Sequence, residues 1–208
     1  MTPRRSFIRA GEETRRAALI EATLDLIAEG GPQAATVRAI ALRAGVTPGL
    51  IRHYFATKEE LVAAAHETLM TGLTEASAAQ LDDLPDDPLV RLAGFVANAV
   101  SAPVIDARAV SLWAASLQLV PRDDVMRAVH EATYLQFRDR LQGLIHDALQ
   151  ASGRPTTETR ALAIAGNALL DGLWIEASTL PDHFHSGEVK SIAIKAFSRL
   201  LTLELPEV

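Results

Sequence analysis

Residues 36–58 read TVRAIALRAGVTPGLIRHYFATK, and the order of small, apolar and turn-forming residues in this stretch decides the fold. Val37, Ile40, Ala41 and Ala44 recur at i, i+3, i+4 and i+7, the spacing that lines one face of a helix. Thr36 stands where an N-cap hydroxyl is needed. Gly45-Val46 then makes a tight turn, Thr47 caps a second helix, and Pro48 takes its first position, where a missing N–H costs nothing. That helix is expected to run to about Phe55. Two short helices cross this closely only under three conditions: a small residue at the crossing, a turn that tolerates positive φ, and an inward apolar residue on the second helix. Ala41, Gly45 four places later and Ile51 six beyond the glycine meet them, and Ile40, Val46 and Phe55 complete a small core. The stretch is a helix-turn-helix.

With Ile51 and Phe55 turned inward, Gly49, Arg52 and His53 point outward from the second helix, with Leu50 and Tyr54 on its flank. Pro48 and Gly49 keep the helix start slim, so its backbone can approach a major groove. Arg52 can donate two hydrogen bonds to a guanine edge, worth about 1–3 kcal/mol of discrimination, and Leu50 can touch a thymine methyl. Thr36, Thr47, Tyr54 and Lys58 suit phosphate contacts, together with the free N–H groups that open the next helix; Arg38 completes the DNA-binding set. The competing reading of His53 and Tyr54 is that they pack between helices.

Working outward, a first helix is expected from about Glu12 to Glu29, with Ile20, Leu24 and Ile27 on one side and Gly30-Gly31-Pro32 ending it. Thr57 and Glu60 form a capping box that opens a long helix toward residue 80. Leu81 to Pro88, with two prolines and four aspartates, reads as a loop. Further helices are expected near 88–101, 106–119, 122–151, 156–179 and 187–203, separated at Pro103, Pro121, Gly153-Arg154-Pro155 and Pro181. No alternating strand with hairpin chemistry is present. The expected fold is all-α, with a DNA-binding domain over 1–58 and a helical effector-binding and dimerisation domain over 59–208.

Composition narrows the function classes. The 208 residues are 49% apolar and contain no cysteine, which excludes disulfides and thiolate metal sites and fits a reducing cytoplasm. Arg4, Arg5, Arg9, Glu12 and Glu13 leave no apolar core for a secretory signal, and the most apolar segment, Ala161–Leu170, is broken by Asn167 and followed by Asp171. A cytoplasmic chain without membrane partners is expected. The net charge of −6 hides an asymmetry: residues 1–58 hold nine Arg or Lys against five acids, and the remainder eleven against twenty-one. A basic head on an acidic body lets one end approach phosphates. His66, His130 and His146 sit singly on helices, and His183 and His185 flank Phe184 in a loop, so no metal or other cofactor is expected. Phosphate-binding loop, dinucleotide and nucleophile-elbow motifs are absent, and no enzyme is expected.

The run GVTPGLIRHYFATKEEL over 45–61 closely resembles the signature of TetR-type regulators, in which a glycine, an apolar residue and a His-Tyr-Phe run mark the recognition helix. The resemblance implies a three-helix head, a helical ligand-binding body and a homodimer through the last two helices. In the body, LDGLWIEAS (170–178), LWAASLQ (112–118) and FRDRLQGLI (137–145) are similar to the betaine-operon regulator (BetI) branch, whose members repress genes of choline uptake and oxidation and respond to choline. A repressor that binds a palindromic operator and is released by a small-molecule effector is therefore expected.

A quaternary ammonium effector needs aromatic faces and a carboxylate. Phe95, Trp113, Tyr134, Phe137 and Trp174 are the candidate faces and Asp171 the candidate anion. Against this stands the reading that both tryptophans belong to the core or a dimer seam. Leu162, Ala165, Leu169 and Leu173, with Val189, Ile192, Ala196, Phe197 and Leu200, form stripes that can bury against their own chain or a second copy, and Gly166 and Gly172 would permit close packing. Two other functions fit less well: an architectural DNA-binding protein without effector, and a small-molecule carrier or enzyme with an incidental helix-turn-helix.

Overall fold

The computed structural model describes residues 3–208, with side chains from Gly11 onward. The helices are α1 (Pro3–Gly30), α2 (Val37–Arg43), α3 (Pro48–Tyr54), α4 (Lys58–Ser77), α5 (Pro88–Ala99), α6 (Ala107–Leu117), α7 (Asp124–Ala151), α8 (Thr159–Thr179) and α9 (Glu188–Leu201), with a 3-10 turn over Pro181–His183. Among the described residues there is no strand, and no helix is long and apolar enough to cross a membrane. The chain is all-α. α1 begins at Pro3 rather than near Glu12, with the proline at the first helical position, where its missing N–H costs nothing. The Arg4, Arg5 and Arg9 side chains, counted into the basic head, lie outside the described residues.

The chain divides into two compact units: residues up to Leu69 with Ser111–Glu131, and Met70–Val110 with Ala132–Val208. The core of the first gathers Leu19, Ile20, Leu24 and Ile27 of α1, Ile40 and Ala41 of α2, Ile51 of α3 and Leu61 of α4, with Leu112 and Met126. Thr36 caps α2, its hydroxyl accepting the Ala39 N–H at 3.2 Å. Gly45 takes φ +65° at the turn, a conformation that side chains disfavour. Thr47 holds the N-cap position of α3, but its hydroxyl makes no cap bond; the Leu50 N–H bonds to the Thr47 carbonyl at 3.0 Å instead, closing a tight first turn.

Arg43, at the end of α2, forks onto Glu29 of α1 at 2.9 and 2.6 Å with Asp25 at 3.6 Å, so its charge is spent on orienting α2. The Thr57 hydroxyl accepts the Glu60 N–H at 3.1 Å, while the Glu60 carboxylate reaches back to Ala56 N–H at 2.8 Å, one residue before the expected partner. His66 and His130 are not single: His66 Nε2 of α4 lies 3.2 Å from His130 Nδ1 of α7, a pairing of residues 64 apart that no local spacing reveals.

In the second unit α8 and α9 pack on each other and on α5. Asp87 caps α5, accepting from Leu89 and Val90 N–H. Leu92, Phe95 and Val96 meet Leu141 and Ile145 of α7, Leu170 of α8 and Phe197 of α9 in one core. The buried face of α8 is Ala163, Gly166, Asn167, Leu170, Trp174 and Ala177. Leu162, Leu169 and Leu173 stand partly buried beside it, and Ala165 is exposed. Gly166 does not serve a second copy, because the Phe197 ring occupies the space its Cβ would take. Gly172 is exposed, with nothing within 4 Å of an added Cβ.

Candidate functional site

α3 projects from a head whose inner side is closed. Ile51 is 2% exposed and Phe55 5%, while Pro48, Gly49, Arg52 and His53 are exposed and Leu50 and Tyr54 are half-buried. Period 3.6 accounts for this split, since Ile51 and Phe55 lie four apart and Arg52 and His53 fall on the far side. Gly49 has nothing within 4 Å of a Cβ position, so it leaves a smooth approach at the helix start. His53 and Tyr54 meet edge to face at 5.3 Å, and His53 keeps its exposure. Arg16 of α1 stacks over Phe55 at 5.1 Å, steadying the residue that ends α3.

Around α3, Thr36, Arg38 and Thr47 are exposed and Lys58 is half-buried at the start of α4. These ten residues fall within 23 positions, on α2, α3 and the caps and first turn that flank them. Of the N–H groups opening α4, that of Glu60 is taken by Thr57, leaving fewer for a phosphate. Leu42, 85% exposed and four residues after Arg38, is part of the α2 surface that a search for polar contacts passes over.

The six ligand candidates are distributed otherwise. Trp113, half-buried, belongs to the first unit; Phe95, Tyr134, Phe137, Asp171 and Trp174 belong to the second. Phe95 is fully buried, 5.1 Å from the Phe137 ring. Trp174 is 7% exposed and donates its indole N–H to the Val104 carbonyl at 2.7 Å. Tyr134 donates to Asp171 Oδ2 at 2.7 Å, and the Asn167 amide donates to the same oxygen at 3.0 Å and to the Tyr134 hydroxyl at 2.6 Å. Burial first, and the Asp171 carboxylate second, push the Tyr134 phenol well above its usual 10, so it stays a donor. The result is an oriented carboxylate between α7 and α8. Asn167, one helical turn before Asp171, is the member that the i, i+4 spacing could have supplied.

Two crossed helices, the second keeping Arg52 and His53 exposed, in an otherwise helical chain form the arrangement of a helix-turn-helix regulator. Residues 19–65 match the family model of bacterial regulatory proteins of the tetR family, and residues 88–202 match that of the BetI-type transcriptional repressor, C-terminal. The HTH-type transcriptional regulator BetI 2 of Chromohalobacter salexigens is 29% identical over 92% of this chain and 90% of its own length. BetI of Stenotrophomonas maltophilia is 31% identical over 88% and 90%. The chain belongs to the tetR family of bacterial regulatory proteins, in its BetI-type branch.

Solved structures agree. A transcriptional regulator from Pseudomonas aeruginosa superposes with a TM-score of 0.83 at 31% identity, covering 90% of each chain. One from Saccharomonospora viridis, solved in complex with choline, shares the fold with a TM-score of 0.73 at 20% identity, covering 90% of this chain and 96% of its own.

Proposed function

We propose that the chain is a cytoplasmic repressor, not an enzyme, that binds a palindromic operator as a homodimer and is released by a small-molecule effector. The observation that carries this reading is the split of α3, with Ile51 sealed and Arg52 and His53 exposed beside a slim Pro48-Gly49 start. Residues 1–58 supply the DNA contacts. Arg52, Leu50 and His53 face base edges, and Thr36, Arg38, Thr47, Tyr54 and Lys58 face phosphates, with Pro48 and Gly49 allowing close approach. Two copies place their α3 helices in successive major grooves, about 34–36 Å apart.

Residues 59–208 carry dimerisation and effector binding. The second copy is proposed to cover α8 and α9, where Ile164 and Ile192 are 39% and 40% exposed and Ala161, Ala165, Ala168 and Gly172 leave a low surface. The proposed effector carries a quaternary ammonium group. Asp171, held by Tyr134 and Asn167, would face its charge, with the aromatic rings of Phe95, Phe137 and Trp174, which belong to the same unit, as candidates for its methyl groups. Choline, present in the Saccharomonospora viridis structure, is the first probe. Only an effector that binds the released form better than the DNA-bound form shifts the equilibrium, and a tenfold loss of operator affinity requires about 1.4 kcal/mol of that difference.

The test is selection of fragments from random duplex DNA by the purified chain, with and without choline, followed by sequencing. Enrichment of a palindrome whose half-sites lie one helical turn apart, and its loss in choline, supports the proposal. Enrichment of no sequence overturns it, and enrichment that no ligand changes favours an architectural DNA-binding protein.

A further inference from the structure

We infer that Arg122, in the turn between α6 and α7, binds a phosphate of the DNA backbone beside the one that Lys58 takes. The DNA-contacting surface then runs beyond residues 1–58. This rests on the DNA-binding reading above and adds a contact that the helix-turn-helix itself does not contain.

Arg122 follows Lys58 by 64 positions in the sequence, yet Ser111–Glu131 packs into the same compact unit as α1, α2 and α3. There Lys58 and Arg122 line one hollow of about 200 Å³, beside the buried side chains of Val62 on α4 and Met126 on α7. The turn that carries Arg122 is tied down. The Arg122 and Asp123 N–H groups both donate to the Leu119 carbonyl, at 2.8 and 3.0 Å. The Asp123 carboxylate accepts the Met126 N–H at 2.9 Å, and Met126 is anchored in the core of the unit with Leu61 and Leu112. The backbone is fixed and the side chain is free.

Arg122 is exposed and Lys58 half-buried, and among the described residues neither makes an ion pair or a side-chain hydrogen bond. Glu59 and Asp123 line the same hollow without pairing to either cation, and Asp123 is committed to capping α7. Arg127, further along the same segment, is by contrast paired with Asp124. Two unpaired cations at one hollow present a place for anions. The neighbouring acids cancel their field at a distance, so the gain comes on direct contact rather than from net charge.

DNA supplies such anions in series. α3 ends at Tyr54, four residues before Lys58, so a duplex held by α3 runs its backbone past the first turn of α4. Phosphates follow one another at every nucleotide of a strand, and a second cation beside Lys58 meets the next in line. The planar guanidinium of Arg122 can hold two phosphate oxygens at once, a grip that a lysine ammonium cannot form.

The test measures binding of the full chain to a labelled random-sequence duplex by fluorescence anisotropy, between 50 and 200 mM potassium chloride. Arg122→Ala should bind about threefold to tenfold more weakly at the lowest salt and flatten the plot of log affinity against log salt by about one unit of slope. Its deficit should therefore shrink about threefold across that range. Arg122→Lys, which keeps the charge, should retain the slope, and Arg127→Ala should leave both affinity and slope as in the parent. An Arg122→Ala slope equal to that of the parent overturns the inference. So does an equal flattening by Arg127→Ala, because the slope would then follow net charge alone. If Lys58→Ala flattens the slope and Arg122→Ala does not, the DNA-binding reading stands and only this contact falls. If the parent chain binds no duplex, both fall together.

Discussion

The ring of Phe197 on α9 lies so close over Gly166 on α8 that an added Cβ would stand 2.8 and 2.9 Å from two ring carbons. Close approach of α8 and α9 therefore depends on one missing methyl group. Gly166→Ala gains about 1 kcal/mol of helix propensity but forces the ring aside, at a cost of about 1–3 kcal/mol. The clash should win. A lower urea midpoint is expected, whereas Gly143→Ala, on an exposed site of α7 with nothing within 4 Å, should raise it. A rise at both positions would mean the ring moves freely.

The His66 shift sets a pH dependence. In the unfolded chain its imidazole titrates near the ordinary 6.5, and in the folded chain near 4. Between these values the unfolded state binds more protons, so stability is full above pH 6.5 and declines as pH falls toward 4. The loss over the whole window is on the order of 3 kcal/mol. His66→Phe should flatten this part of a plot of urea-unfolding free energy against pH. An unchanged slope would show that His66 titrates alike in the folded and unfolded chains.

Ile164 and Ile192 give the proposed dimer a direct check. A glutamate at either position would place a charge in an apolar seam, so Ile192→Glu should shift sedimentation toward the monomer and make the melting temperature independent of concentration. A mutant that sediments as the parent does would place the contact elsewhere.

The head is legible residue by residue because its signals are local. Thr36, Gly45 and Pro48 act through their own backbone or through neighbours three or four residues away, and the burial of Ile51 and Phe55 follows from helical period alone. Thr47 shows the limit: its position is readable, but the Leu50 N–H chooses the Thr47 carbonyl over the hydroxyl through first-turn geometry that composition does not encode. The body is less legible because its polar pairings join distant positions. Tyr134 and Asp171 are 37 residues apart and His66 and His130 are 64 apart, so each looks solitary along the chain. Gly166 suggests a seam between copies from its size, whereas only the tertiary packing reveals that Phe197 already fills the space.

Whether α3 reads base pairs is tested most directly by comparing Arg52→Ala and Lys58→Ala on the selected operator and on random duplex, each across a range of salt. Arg52→Ala should lose about tenfold or more on the operator, concentrated at one base pair, with little change on random DNA. Lys58→Ala should weaken both DNAs alike and flatten the salt dependence by about one unit of slope. Equal losses on operator and random DNA for Arg52→Ala would contradict the assignment of α3 as the reading helix.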